Sequence, residues 1–111
     1  MAHIGNGNPG TPDMWEEFKR LICKLYEMYG GNCDDLDWGD QGETAQATLE
    51  AEYEANGLPA FTSPTQEQQF RDDLDELEVV CQSSDVPPAA ATKAVTLVMI
   101  ADMQSDLNGP S

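Results

Sequence analysis

Basic residues are scarce in this chain: five Lys and Arg stand against 21 Asp and Glu, with one histidine, His3. So few cations give phosphates nothing to bind, and a net charge of −16 repels them. Direct binding of nucleic acid is therefore not expected. With His3 the sole imidazole, the usual Ser-His-Asp and Cys-His arrangements have no general base in the body of the chain. Zinc would have to combine His3 with Cys23, Cys33 and Cys81, which lack paired short spacings. No glycine-rich turn leads from a strand into a helix with a lysine in place, so a phosphate cradle is missing too. Carboxylates alone support glycosidase chemistry, but a helical domain of this size leaves little room for a sugar cleft. The chain is not expected to be an enzyme, and no cofactor or metal is implied.

Long apolar runs are also wanting. The longest, Ala89 to Ala101, is interrupted by Lys93 and closed by Asp102, about 13 residues where a bilayer requires about 20. A membrane span and a membrane partner are not expected. Cysteine is sparse and odd in number, at positions 23, 33 and 81. Without an apolar leader stretch, the simplest reading is reduced thiols in a cytoplasm, with a structural disulfide as the alternative.

The 111 residues suffice for one core, and a hydrophobic fraction of 40% supplies it. Residues 1–12, MAHIGNGNPGTP, carry Gly, Asn and Pro without periodicity and read as a mobile arm before a single domain over residues 13–108. Four helices follow from punctuation and period. The first runs between Thr11 and Gly31, with Thr11 as cap and Pro12 at the first helical position. Met14, Trp15, Phe18, Leu21, Ile22, Leu25 and Tyr29 share its apolar face, and Glu16 stands one turn before Arg20. Glu43 to Asn56 forms a weaker, peripheral helix stopped by Gly57 and Pro59. Ser63, Pro64 and Gln66 open a third, reaching about Gln82, with Phe70, Leu74, Leu77 and Cys81 in line and Val79 opposite. The fourth starts after Pro87 and Pro88 and runs to about Leu107; it is apolar on every side from Ala94 to Ala101, as befits a helix enclosed by the others. No segment alternates as a strand would. The expected fold is all-α, an irregular four-helix domain around a central apolar C-terminal helix.

The acidity is uneven. Residues 1–33 and 87–111 each carry a net charge of −1, whereas residues 34–86 carry −14. Such a block suggests a surface. In the third helix Asp72, Asp73, Asp75, Glu76 and Glu78 place five carboxylates along about 9 Å of axis, near the axial charge density of duplex DNA. Asp72 and Glu76, one turn apart, destabilise an isolated helix by about 0.2–0.5 kcal/mol, which a cationic partner would relieve. The loop GGNCDDLDWGDQG sets Asp34, Asp35, Asp37 and Asp40 around Trp38. Its oxygen-rich composition suits calcium, but EF-hand spacing fails: counted from Asp35, the fifth position is Gly39 and the twelfth Gln46.

Three functions are compatible with this pattern. The leading one is an interaction protein of inhibitor, immunity or DNA-mimic type that docks its acidic middle on a basic protein surface. Asp34, Asp35, Asp37, Asp40, Asp72, Asp73, Asp75 and Glu76 would supply the charge, and Trp38 and Val79 the apolar anchors. The second is a structural or assembly subunit of a phage or bacterial complex, for which homo-oligomerisation is open. The third is a calcium-responsive module.

Overall fold

The computed structural model describes residues 13–109. The arm expected over residues 1–12, including His3, lies outside them, as do the Thr11 cap and Pro12. Four helices account for the described fold: α1 (Met14–Met28), α2 (Glu43–Asn56), α3 (Pro64–Gln82) and α4 (Ala90–Leu107). No strand occurs among the described residues.

The local reasons match the chemistry of helix ends. Asp13 caps α1, its carboxylate accepting the N–H groups of Trp15 and Glu16. Ser63 caps α3 through the Gln66 N–H, and Pro64 occupies the first turn; the Gln66 side chain accepts from Thr62 N–H. At the end of α2, Gly57 takes the positive φ of +74° and its N–H returns to the Tyr53 carbonyl.

Contacts fix the helix directions. Arg20 meets Glu76 and Lys24 meets Asp73, so α1 and α3 are antiparallel. Arg71 reaches the Leu107 carbonyl while Lys93 reaches those of Ser83 and Asp85, so α3 and α4 are antiparallel as well. Gly42 lies against Phe18 and Tyr29 donates to Gly57, so α2 runs parallel to α1. Residues 30–42 are therefore a return connection along one flank of α1, with single 3-10 turns at Cys33–Asp35 and Asp40–Gly42. That route explains the long acidic loop. Leu36 is buried, and Trp38 folds edge-on against Trp15 with ring centroids 6.3 Å apart.

The core joins all four helices: Phe18, Leu21, Ile22 and Leu25 of α1, Ala45 and Leu49 of α2, Phe70, Leu74, Leu77, Val80 and Cys81 of α3, and Met99, Ile100 and Met103 of α4. Two sequence expectations are corrected. Glu16 pairs with Lys19 at 3.0 Å, leaving Arg20 to Glu17 and Glu76. And α4 is enclosed on one side only. Thr92, Lys93, Thr96, Met99, Ile100 and Met103 face inward, while Ala91, Ala94, Val95, Val98 and Ala101 face outward, with Val98 61% exposed. Three helices of this length cover only one face of the fourth, so apolar composition all round did not translate into burial all round.

Candidate interaction surface

The outer face of α3 is the most sharply drawn charged feature. Asp72, Asp75, Glu76 and Val79 are all exposed; the neighbours Asp75 and Glu76 lie three and four residues after Asp72 and four and three before Val79, which puts all four on one face over about 10 Å. Val79 is 64% exposed, an apolar side chain at the end of an acidic ridge. Little on the chain itself neutralises the ridge. Glu76 shares Arg20 with Glu17, at 2.9 and 2.6 Å, and the Gln68 amide donates to Asp72. These two carboxylates hold the Arg20 guanidinium well above its usual pKa, Glu17 contributing most, so it stays charged at any working pH. The Gln104 amide of α4 lies at 3.5 Å from Asp75 and 3.4 Å from Glu78; Asp75 stays exposed beside it, whereas Glu78 is partly buried. Thus three of the five expected carboxylates line the outer face, and the charge density falls well short of duplex DNA.

Asp73 is the main correction among the sequence-derived surface residues. It is 1% exposed and belongs to the interior between α3 and α1. Position 73 lies three residues after Phe70 and four before Leu77, on the buried arc; the periodicity could have shown this, but charge suggested a surface. One oxygen, Oδ1, accepts from Lys24 Nζ at 3.2 Å and from Gln69 Nε2 at 3.0 Å. The other, Oδ2, is buried with no hydrogen-bond partner. Such an oxygen carries a desolvation cost of about 1–3 kcal/mol. Asp73 borders a pocket of about 510 Å³ between the second half of α1, the α2–α3 connection and the first half of α3.

The loop carboxylates lie elsewhere. Asp34, Asp35, Asp37 and Asp40 are exposed on the flank of α1 that carries Trp15, Tyr26 and Cys23, whereas α3 packs on the flank that carries Arg20 and Lys24. The acids of the loop and those of α3 therefore form two separate patches with the outer face of α1, and its lysines and arginine, between them. Trp38 is half-buried and serves the core against Trp15 and not as a free anchor. Asp37 Oδ1 accepts from Gly39 N–H at 2.8 Å, and the Asn32 side chain caps the turn at Asp34, so local backbone groups organise this loop. Among the described residues, no three of the loop aspartates bring their oxygens within 4.8 Å of one another.

One group of donors does converge: Cys23, Glu27 and Cys33. The two sulfurs are joined in a disulfide with Cα atoms 5.2 Å apart, which corrects the expectation of reduced thiols. The sequence offered one signal, the Gly30-Gly31 turn that reverses the chain between them: Gly31 sits so close to the Tyr26 ring that a Cβ would overlap it at 2.5 Å. Sulfurs bonded to each other are not thiolate ligands, so the group as it stands does not suit a metal. Cys81 is separate and buried, its thiol pushed up to about 12 by burial against the smaller opposing effects of Thr96 and Lys93. No helix among the described residues is long and apolar enough to cross a membrane.

Comparison with protein families, with curated proteins and with solved structures returns no match for this chain.

Proposed function

We propose that this chain is a small helical interaction protein that docks on a basic protein surface through the outer face of α3. The observation that carries the reading is the exposed row Asp72, Asp75, Glu76 and Val79, three carboxylates and an apolar anchor on one helical face. Every Lys and Arg is already engaged, Lys19, Arg20, Lys24 and Arg71 with carboxylates and Lys93 with backbone carbonyls; on the ridge only Glu76 draws on one, Arg20, which it shares with Glu17, and Asp72 and Asp75 meet no Lys or Arg. A partner's cations would supply the missing charge, steering encounter over a Debye length of about 10 Å, with Val79 buried on contact. Inhibitor or immunity action on a basic protein fits better than DNA mimicry, because the ridge holds three carboxylates and not five. No catalytic role, cofactor or direct nucleic-acid contact belongs to this reading.

The test is affinity capture from a lysate by the immobilised chain and by a D72N/D75N/E76Q variant. Basic proteins retained at low salt by the parent chain, released by added salt and not retained by the variant, support the reading. Equal capture by both chains, or capture of acidic proteins only, refutes it.

A specific observation supports assembly as the second reading. The outward side of α4 offers Ala91, Ala94, Val95, Val98 and Ala101 with Asp102 the single charge among them. Subunit contact there would avoid the acidic patches. Analytical ultracentrifugation of V98E against the parent chain distinguishes this, since an oligomer lost only in V98E points to α4. The cytoplasmic placement expected from composition requires the Cys23–Cys33 pair to exist there as a dithiol, because cytoplasmic reductants oppose the bond.

A further inference from the structure

We infer that the pocket between α1 and α3 receives one arginine side chain of the basic partner, with Asp73 at its floor as counter-ion. This rests on the docking reading above and adds to it the residue type the site selects. Asp73 is 1% exposed, its Oδ1 is satisfied by Lys24 and Gln69, and its Oδ2 is without a donor. The two side chains that cover the carboxylate are long and reach solvent at their ends: Gln69 is exposed and the Lys24 side chain retains 37% of its surface. The neutral Gln69 side chain can swing aside without disturbing a helix, leaving Lys24 on Oδ1. A donor that entered would give Oδ2 the hydrogen bond it lacks.

The chemistry of the walls selects the donor. Lys24 is balanced by Asp73, and Glu27 at the mouth leaves the pocket one negative charge in excess, so it favours a monocation. A divalent metal would need about six oxygens, and the Lys24 ammonium stands where some of them would have to be. A guanidinium presents five N–H groups in one plane, enough to give Oδ2 the donor it lacks with others to spare, and it sheds water more readily than an ammonium. Its aliphatic stem has Met28 and Ala60 to lie against. The cleft is open to solvent, and its volume of about 510 Å³ leaves room for one side chain. The location fits a partner laid along α3, because Asp73 stands one residue from Asp72 and three from Glu76. The ridge would steer the partner and the pocket would fix its register.

The test uses the full chain, labelled with ¹⁵N, and short blocked peptides carrying one arginine, one lysine or one citrulline, titrated at physiological ionic strength. The arginine peptide should shift the amides of Thr62, Gln66, Gln69 and Asp73 saturably. Citrulline, the uncharged isostere, should leave them in place, and lysine should bind at least fivefold more weakly. D73N should weaken arginine binding at least tenfold. A60W, which fills the mouth and leaves the carboxylate intact, should do the same and carries the result where D73N does not fold. Equal shifts from citrulline or lysine, shifts confined to Asp72, Asp75 and Glu76, or undiminished binding to A60W overturn the assignment. Should the pocket fail in this way while salt-sensitive capture of basic proteins persists, the docking reading stands and the pocket assignment alone falls. Loss of ridge-dependent capture with arginine binding intact has the opposite meaning.

Discussion

Removing the Cys23–Cys33 bond is the perturbation whose effect follows most directly from the geometry. The bond closes a loop with a sequence separation of 10, tying the outer face of α1 to the first turn of the return connection. In the chain-entropy relation a loop of that size restricts the unfolded chain by about 3 kcal/mol at 25 °C. The native loop keeps other attachments: Leu36 is buried, Trp38 packs on Trp15, and the Asn32 side chain caps its turn. The folded state should therefore survive reduction with its helices intact, and the loss should appear as stability alone. For a domain of this size about 3 kcal/mol corresponds to a fall in Tm of roughly 10–20 °C. The assay is thermal and urea unfolding followed by circular dichroism, comparing the oxidised chain, the chain with dithiothreitol and a C23S/C33S variant, with the bond counted by mass spectrometry. Oxidised and reduced chains that melt within about 2 °C of each other, with the bond verified in one and absent in the other, would refute the reasoning.

Other perturbations have similarly definite outcomes. Gly42 has φ +95°, and a Cβ there would meet Phe18 at 2.7 Å, so G42A should cost about 2–4 kcal/mol in urea unfolding, from backbone strain and overpacking together. Lys93 is 7% exposed and donates to the Ser83 and Asp85 carbonyls at 2.7 and 2.8 Å. K93M strips both acceptors of their donor and should destabilise the chain by about 1–3 kcal/mol, partly offset by no longer burying an ammonium. Burial holds Tyr29 near 12, assisted by Glu52 and Asp106, and burial likewise holds Cys81 near 12. Both groups keep in the folded state a proton that the unfolded chain releases at ordinary tyrosine and thiol values. Stability should therefore be full below about pH 9 and decline toward pH 12, visible as a falling Tm. At pH 8 Cys81 should resist a thiol reagent until the chain is unfolded.

Much of the fold was legible because its boundaries are written in residues with narrow backbone demands. Ser63-Pro64 starts α3, Gly57 stops α2, and the spacing from Phe70 through Leu74, Leu77 and Cys81 marks the buried side. What escaped depends on partners distant in sequence. Asp73 looks like its neighbours until Lys24 is brought beside it, and only that contact makes an interior carboxylate tolerable. The return path of residues 30–42 likewise follows from the parallel arrangement of α1 and α2, which periodicity does not encode. That path places the loop acids and the α3 acids on opposite flanks of α1, so acids that belong to one block in sequence are separated in space. Val79 shows the converse: its position opposite Phe70, Leu74 and Leu77 was enough to put it at the surface.

The docking reading is tested most directly by the association rate of a captured basic partner, measured against ionic strength for the parent chain and for D72N/D75N/E76Q. The parent chain should associate quickly at low salt and slow steeply as salt rises, while the variant should be slower at low salt with a much flatter dependence. Coincident rates and slopes for the two chains would contradict a role for the α3 ridge.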